Sequence, residues 1–456
     1  MIKTDSTQLD LWSTLLPAEV WDLPQELRKV DGLLDNPAVL RPLAQVLDPE
    51  QGRPSLPLTQ VLRLFYLKDR YQLSDAVLVQ EVSDSIHWRR FCRLGLTDPV
   101  PHPTSLTKWR HRLGPEAVAE VNAAVVDGLR DEKVIRGRRM RIDSTVVEAN
   151  IHYPTDSQLI ADGILKVTRV GRQIRELLGD GVERLVDHGR SVKQRLLLIA
   201  KHLRHRTGQA VETVREVTSE IARIAEAQMR AARRVGQQAH KALAAASDQV
   251  ARPARRLAEQ LERTQDLLGQ VVAQHQAVLR GERHIPDRVV SLADPDARPI
   301  VKGKLGKPVQ FGYKTQIIEA EGGFVTDYTV ERGNPPDADA LLPAVQRHKT
   351  RFRRAPALVA TDRGYDTASN HTGCRDQGVR NVAIPKRGKP SADRRRFQHR
   401  QSFRQAQAWR SGSEATISRL KRGYGLRRSR YREYDRVATG VGLAILAHNL
   451  RRAATR

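Results

Sequence analysis

A long helical segment interrupts this chain and limits the folds that it can adopt. From about Gly163 to Gly281 the sequence is rich in Ala, Arg, Gln, Glu and Leu and contains no proline before Pro253. The stretches 211–245 and 257–279 have the apolar spacing of long amphipathic helices, which predicts a hairpin or bundle. Strand-like segments lie on both sides. The sequence therefore predicts a mixed α/β domain that is interrupted once by a helical insertion.

Three acids stand out from the strand and helix patterns around this insertion. Asp143 lies in the β-branched stretch 139–147, which reads as a strand, and Asp362 follows the short apolar run 356–361, which reads as a buried central strand. Glu414 opens a pattern with apolar residues on one helical face. Two strand acids and one helix acid can converge on one point, so we select Asp143, Asp362 and Glu414 as candidate catalytic and metal-binding residues.

Carboxylates without His or Cys are the ligands that Mg²⁺ prefers, because this cation takes oxygen donors and keeps several waters. Two such ions about 4 Å apart can activate an attacking hydroxyl and stabilise the leaving oxygen of a phosphodiester. Other acids near the same segments are alternatives if the triple is misassigned: Asp156, Asp366 and Glu433, of which Asp366 is the closest rival.

The charge of the chain indicates the partner. Seventy-eight Lys and Arg against 52 Asp and Glu give a formal net charge of +26, which favours a polyanion. Between Lys386 and Arg432 the sequence has sixteen basic residues and two acids, Asp393 and Glu414. A solvated tail is the alternative for such a run. Aromatic residues within it and the apolar stretch 437–450 after it favour a folded segment.

The amino-terminal region, residues 1–137, reads as helical. Leu58–Tyr71 has one apolar face, and Ser74 is placed to cap the next helix. The passage 102–114 predicts a helix that ends at Gly114 and suits a DNA groove, with a basic surface helix as the equal alternative. The candidate DNA-binding residues on it are Lys108, Arg110 and Arg112.

The segments after the insertion alternate between strand and helix patterns. Residues 308–318 and 323–331 read as two strands, and Asp337 is expected to cap a following helix. A short strand is predicted at 381–385. The Lys-Gly stretch 302–307 lacks the residues of a phosphate-binding loop and is expected to be a hairpin loop.

Cysteine content and hydropathy limit the compartment. Cys92 and Cys374 provide neither a disulfide framework nor zinc spacing. The first ten residues have no signal-peptide pattern, and no window approaches the roughly eighteen apolar residues of a membrane span. The sequence predicts a soluble cytoplasmic, nucleoid-associated protein without a membrane partner.

This order of strands and acids resembles the RNase H-like core of DDE transposases from bacterial insertion sequences. The insertion departs from the resemblance, because the best-described large members of one branch carry theirs just before the glutamate, whereas here it follows the first strand. One branch of that superfamily has a tyrosine, two residues, arginine, three residues, glutamate, six residues and lysine. Arg410, Glu414 and Lys421 stand at those spacings, whereas Gln407 occupies the tyrosine position. The passages 143–145, 311–314, 333–337 and 362–365 are also similar to those of such transposases.

The sequence patterns and this resemblance together predict an α/β fold class with four segments. These are a helical DNA-binding domain at 1–137, the first part of an RNase H-like catalytic domain at 138–162, a helical insertion at 163–282, and the remainder of the catalytic domain with basic helices at 283–456. The insertion is expected to contact DNA or a second subunit, or to act as a structural spacer.

The same resemblance implies a transposase that binds the terminal inverted repeats of its element, cleaves the strand at each end and joins the 3′ hydroxyl to target DNA. Asp143, Asp362 and Glu414 would hold Mg²⁺ or Mn²⁺, as two ions, and Arg410 and Lys421 would contact phosphates beside the cut. Double-stranded DNA and a second copy of the chain are the expected partners. A hairpin intermediate would need the tyrosine that Gln407 replaces. Two alternatives stay open, a nuclease without strand transfer and a non-catalytic DNA-binding regulator.

Overall fold

The computed structural model describes residues 17–48, 55–205, 207–244, 246–282, 284–301 and 308–456. Two compact units account for the chain. One comprises residues 1–150 and 312–456, and the other comprises residues 151–311. The predicted insertion, 163–282, falls within the second unit. The predicted hairpin loop at 302–307 and the first ten residues lie outside the described residues.

The first unit begins with helices. They are α1 (Ala18–Trp21), α2 (Gln25–Leu34), α3 (Pro37–Gln45), α4 (Leu58–Tyr71), α5 (Asp75–Asp84), α6 (Ile86–Phe91) and α7 (Pro103–Asp131). Ser74 caps α5 as expected, because its hydroxyl accepts a hydrogen bond from the Val77 N–H at 3.2 Å. Helix α7 is broken at Gly114, whose φ of 65° lies in the left-handed region. The predicted helix at 102–114 therefore ends where the sequence indicated.

The strands form one mixed sheet in the described residues. They are β1 (Arg139–Glu148), β2 (Arg298–Val301), β3 (Val309–Glu319), β4 (Val325–Val330), β5 (Leu358–Ala360) and β6 (Asn381–Ala383). The order is β2-β3-β1-β5-β6, with β4 also paired to β3. Strand β3 is antiparallel to β1 and β4, whereas β1, β5 and β6 are parallel. Strand β2 was not predicted; the others were.

Helices cover both faces of this sheet. They are α12 (Leu341–Phe352), α13 (Ala368–Asp376), α14 (Ala392–His399), α15 (Gln401–Gly423) and α16 (Tyr434–Ala454). Met140, Ile142 and Val359 pack with residues of α12 and α13. Ala360 and Ala383, which point the other way, pack with Phe403 and Ala406 of α15. The sheet is therefore buried on both faces around β1, β5 and β6.

Helix α16 joins the amino-terminal helices to the sheet. Its residues pack against α2, α4 and α7, and against β4. Asn122 of α7 donates to the Gly442 carbonyl at 3.0 Å. Asn449 bonds both backbone groups of Val325. The predicted apolar stretch 437–450 is thus a buried helix, and the amino-terminal helices and the sheet belong to one unit.

The second unit is helical apart from its last residues. It contains α8 (Asp156–Leu178), α9 (Gly189–His202), α10 (Gly208–Leu243) and α11 (Asp248–Leu279). Helices α8, α10 and α11 pack against one another around a continuous apolar cluster that extends from Leu159 to Leu292. The prediction of long paired helices is confirmed. No helix among the described residues has the length and apolarity to cross a bilayer.

Candidate active site

Asp143 lies in the middle of β1 with a side chain that is 14% exposed. Its Oδ1 accepts a hydrogen bond from the Ser144 N–H at 2.9 Å, and its Oδ2 accepts one from the Ser413 hydroxyl at 2.9 Å. Both bonds orient the carboxylate. Ser413 belongs to α15, so this contact holds the helix against the strand. Sequence reasoning did not select Ser413.

Asp362 comes two residues after β5, in register with Asp143. Because Arg141 and Ala360 are paired across the parallel strands β1 and β5, the two aspartates lie two residues beyond the same pair. Asp362 Oδ1 accepts the Gly364 N–H at 2.8 Å and so caps a short 3₁₀ turn, 363–365. The sheet topology therefore brings the two predicted strand acids together.

The proximity of Asp362 affects the electrostatics of Asp143. Burial raises the pKa of Asp143, the Ser413 hydrogen bond opposes the rise, and the negative charge of Asp362 adds to it. Two carboxylates in a partly buried site repel each other, and a cation near both would relieve that repulsion. The pair is consequently the best-supported part of the candidate site.

Arg410 links Glu414 to Asp143. Arg410 Nη2 lies 3.3 Å from Glu414 Oε1, one helical turn away, and Arg410 Nη1 lies 3.4 Å from Asp143 Oδ2. Glu414 itself is 71% exposed. The expectation that Glu414 opens its helix is wrong, because α15 begins at Gln401 and Glu414 lies well inside it.

The carboxylates imply a divalent metal ion, but the described side chains provide only part of a set of ligands for it. Among the described residues, no three His, Cys, Asp or Glu side chains are close enough to hold an ion together. The donor chemistry nevertheless fits, since Asp143 and Asp362 provide adjacent, hydrogen-bonded carboxylates, and Glu414 is exposed on the neighbouring helix. The ligands available to such an ion are thus a preformed pair and a third acid that is held by Arg410.

A buried ion pair beneath Asp143 was missed by the sequence analysis. Arg141 Nη2 lies 2.6 Å from Glu319 Oε2, and Arg141 Nη1 donates to the Trp409 carbonyl at 2.6 Å. Thr416 donates to the same Glu319 oxygen at 2.8 Å. A Cβ at Gly412 would lie 2.5 Å from Arg141 Nη1, so a larger residue there would have to displace the guanidinium from its present contacts. The pair fixes α15 over β1 and β3.

The other predicted residues of α15 lie as follows. Gln407 Nε2 donates to the carbonyls of Ala383 at 2.7 Å and Thr361 at 3.2 Å, so it ties the helix to the ends of β5 and β6. Lys421 is partly buried in the last turn of the helix. Arg410 faces the acids. The structure therefore gives Gln407 a structural contact at the position where the sequence resemblance leads us to expect a tyrosine.

The alternative acids have structural partners. Asp366 contacts His371 at 2.9 Å and Lys386 at 3.0 Å. Although burial raises the pKa of Asp366, hydrogen bonds from the Arg387 N–H, His371 and Lys386 lower it to about 2. The remaining two alternatives are also paired, Asp156 with Arg288 at 2.9 Å and Glu433 with Arg436 at 3.6 Å.

The predicted DNA-binding residues of α7 divide into two groups. Lys108 and Arg112 are exposed. Arg110 is 5% exposed and contacts Asp75 at 2.9 Å. Its guanidinium also lies 4.6 Å from the ring centroid of Tyr431. Arg110 is therefore engaged inside the protein, and burial withdraws it from the surface that the sequence assigned to it.

An exposed basic surface extends before and along α15. It is formed by Lys386, Arg387, Lys389, Arg395, Arg396, Arg400 and Arg404. Phe397 anchors it, since its ring lies 5.4 Å from that of Phe403 and 5.1 Å from the Arg394 guanidinium carbon. A solvated tail would lack such anchors. We call residues 386–404 the basic segment.

Comparison with known proteins adds to this geometry. Residues 289–450 match the family model described as a transposase DDE domain, and residues 19–112 match the one described as a transposase domain of the DUF772 type. Asp362 and Glu414 lie within the first match, whereas Asp143 lies in neither. No solved structure matches the chain.

A curated relative is also similar. It is an uncharacterized protein, ORF8 in the nfe locus of Rhizobium meliloti, and is 30% identical over 124 residues. The aligned segment covers 26% of this chain and 59% of that protein. The amino-terminal helices and the carboxyl-terminal part of the chain are thus each similar to a transposase domain, the second one of the DDE type.

Proposed function

We propose that this protein is a DNA transposase that binds the terminal inverted repeats of its element and catalyses metal-dependent strand cleavage and strand transfer on an RNase H-like core. The observation that carries the proposal is the register of β1 and β5, which brings Asp143 and Asp362 together under a helix that bears Glu414. The match to a transposase DDE domain supports it.

In this proposal Asp143, Asp362 and Glu414 would bind two Mg²⁺ or Mn²⁺ ions, which would supply activation of the attacking oxygen and stabilisation of the leaving oxygen. Ser413 and the Ser144 N–H orient the Asp143 carboxylate, and the Gly364 N–H orients that of Asp362. These hydrogen bonds keep the carboxylates in place before substrate arrives.

Arg410 has two roles in the proposal. In the structure it lies between Asp143 and Glu414 and offsets their negative charge. When a phosphate enters, its planar guanidinium can bind the phosphate oxygens instead, because arginine suits bidentate phosphate contacts. Lys421 is proposed to contact a phosphate further along α15.

DNA and a second copy of the chain are the proposed partners. The basic segment, Lys108 and Arg112 provide exposed positive charge for the phosphate backbone. Two ends must be cut and joined together, so we propose that at least a dimer assembles on DNA. Without the family's tyrosine, which Gln407 replaces, we propose that cleavage proceeds without stacking of a flipped base on this residue.

The test uses purified protein, a labelled duplex with the inverted repeat that flanks its gene, supercoiled target DNA and Mg²⁺. Glu414→Gln is expected to retain end binding and lose nicking and joining by at least about 10²-fold, since a metal ligand contributes several kcal/mol to catalysis. Asp393→Asn is the matched control. Asp393 is exposed and is the other acid between Lys386 and Arg432, so its replacement removes the same charge.

The outcomes separate the competing functions. Nicking without joined products in the wild-type protein would favour a nuclease that lacks strand transfer. Binding without nicking in both wild type and Glu414→Gln would favour a DNA-binding regulator. If Glu414→Gln cleaves as fast as Asp393→Asn, Glu414 does not belong to the site.

A further inference from the structure

A chain of hydrogen bonds lies behind the Asp362 turn, on the α12 face of the sheet. Lys314 and Gln316 are two residues apart on β3 and so share a face. Lys314 Nζ lies 2.7 Å from Asp337 Oδ1, and Gln316 Nε2 donates to the same oxygen at 3.0 Å. The Tyr365 hydroxyl donates to Gln316 Oε1 at 2.6 Å. Asp337 is not the helix cap that its sequence context predicts, because its carboxylate makes these contacts instead.

Three of these four side chains are buried. Lys314 is 5% exposed, Gln316 is 1% exposed and Tyr365 is fully buried. Burial and the negative charges of Asp337, Asp143 and Asp362 raise the pKa of Tyr365 well above its usual value. The phenol therefore stays protonated and keeps donating to Gln316. A buried polar chain of this kind is costly to break, because each group loses its partner without gaining water.

A second contact ties the same two turns together. Asn370, which is 3% exposed, donates from Nδ2 to the Ala338 carbonyl at 2.9 Å and to the Tyr365 carbonyl at 2.9 Å. Ala338 follows Asp337, and Tyr365 ends the turn that Asp362 caps. The backbone at 337–340 and the backbone at 363–365 therefore form one connected structure.

Gly364 shows how near Asp337 comes to the candidate site. A Cβ built on Gly364 would lie 3.0 Å from Asp362 Oδ1 and 3.5 Å from Asp337 Oδ2. The two carboxylates thus flank the same glycine. Because Asp337 Oδ1 already binds Lys314 and Gln316, its Oδ2 is the oxygen that faces the Asp362 turn.

We propose that Asp337 is a positioning residue, which acts through Gln316 and Tyr365 to fix the 362–365 turn and thereby holds the Asp362 carboxylate ready for a divalent cation. The inference rests on the proposed metal-binding function of Asp362. Residues that orient a metal ligand commonly change metal affinity by 10- to 100-fold when they are replaced. Asp337 holds the turn, and Asp362 binds the ion.

The test measures Mn²⁺ binding by titration calorimetry with the full chain in the absence of DNA, together with melting temperature and binding to the inverted repeat. Asp337→Asn is expected to weaken Mn²⁺ binding by about 10-fold and to leave repeat binding unchanged. Cleavage should recover at higher Mn²⁺ concentration. Asp339→Asn is the matched control, because it removes an exposed carboxylate from the same 3₁₀ turn.

Tyr365→Phe is the second variant, since it keeps the ring in the core and removes only the hydroxyl. It should also weaken Mn²⁺ binding. If Asp337→Asn does not fold, Tyr365→Phe alone tests the positioning role. Mn²⁺ affinity equal to that of Asp339→Asn, in whichever of the two variants folds, overturns the proposal. Asp362→Asn is run in parallel: if it binds Mn²⁺ as tightly as wild type, the proposed metal site fails and the positioning role fails with it. If only Asp362→Asn binds Mn²⁺ weakly, the positioning role of Asp337 is overturned and the proposed metal site stands.

Discussion

Arg110 illustrates how the surroundings of a cation decide its role. The helix pattern at 102–114 placed it beside Lys108 and Arg112 on a basic face, but the structure pairs it with Asp75. Lys68 contacts the same carboxylate at 2.8 Å. Although burial raises the pKa of Asp75, hydrogen bonds and charges of Lys68 and Arg110 lower it below its usual value. This buried cluster ties α7 to α4 and α5.

Replacement of Arg110 should therefore reduce stability more than DNA binding. We expect Arg110→Met to lower the free energy of unfolding by about 2–4 kcal/mol, toward the lower end because Lys68 remains with Asp75. Lys108→Gln and Arg112→Gln should change stability by less than about 0.5 kcal/mol and weaken DNA binding. Urea denaturation and binding to the inverted repeat check both effects. Weaker DNA binding by Arg110→Met at unchanged stability would contradict this assignment.

The sequence predicted Asp143, Asp362 and Arg410 in their structural contexts because each signal is local. Each signal spans no more than about ten residues of sequence. The signals are a β-branched run, an apolar run that ends in an acid, and a four-residue spacing on a helix. The roles of Asp337 and Arg141 depend on partners that are distant in sequence. A single chain carries no signal that Asp337 lies beside Lys314, so a helix cap was the best local interpretation.

At the scale of elements, α15 also combines a feature that local sequence predicts with one that depends on distant contacts. Its apolar spacing predicted one apolar helical face, and Leu420 on that face is buried. Its beginning was misplaced, because the Ser-Gly-Ser stretch before Glu414 is typical of helix starts. In the structure Gly412 and Ser413 lie inside the helix, where small side chains permit close contact with Arg141 and a hydrogen bond to Asp143. Packing against the sheet therefore outweighs the local preference of these residues for a helix start.

The basic segment is the element whose function can be tested by salt dependence. Arg395 and Arg396 are exposed on α14, and each phosphate that they neutralise releases counterions from DNA. We expect the double change Arg395→Gln with Arg396→Gln to weaken binding and to reduce the slope of log K against log salt concentration by about 2. The measurement is fluorescence anisotropy with a labelled inverted repeat at a series of salt concentrations.

The control for this prediction is the pair Arg255→Gln with Arg256→Gln in α11. Both arginines are exposed, and the double change alters net charge by the same amount. An equal decrease in slope for the two pairs would mean that the basic segment has no special part in binding, either because general charge governs it or because the insertion contacts DNA as well. An unchanged slope for Arg395→Gln with Arg396→Gln would remove the basic segment from the DNA-binding surface.

At the scale of the whole molecule, the helical insertion is a compact unit with its own apolar core. The cluster around Ile164, Ile221 and Leu268 draws only on residues between Leu159 and Leu292. The second unit, residues 151–311, contains all of them. Within the other unit, β1 and β3 remain paired side by side although the insertion separates them in sequence. Each unit therefore has the internal contacts that independent folding requires.

This organisation predicts that residues 151–311 fold when produced alone. We expect a helical circular dichroism spectrum and a single cooperative melting transition, because the apolar cluster is complete within the fragment. Leu268→Ala should lower the free energy of unfolding by about 2–5 kcal/mol, since Leu268 is fully buried. Leu197→Ala, at a residue that is 62% exposed, should have little effect. A fragment without a cooperative transition, or equal effects of the two changes, would mean that the insertion depends on the rest of the chain for its stability.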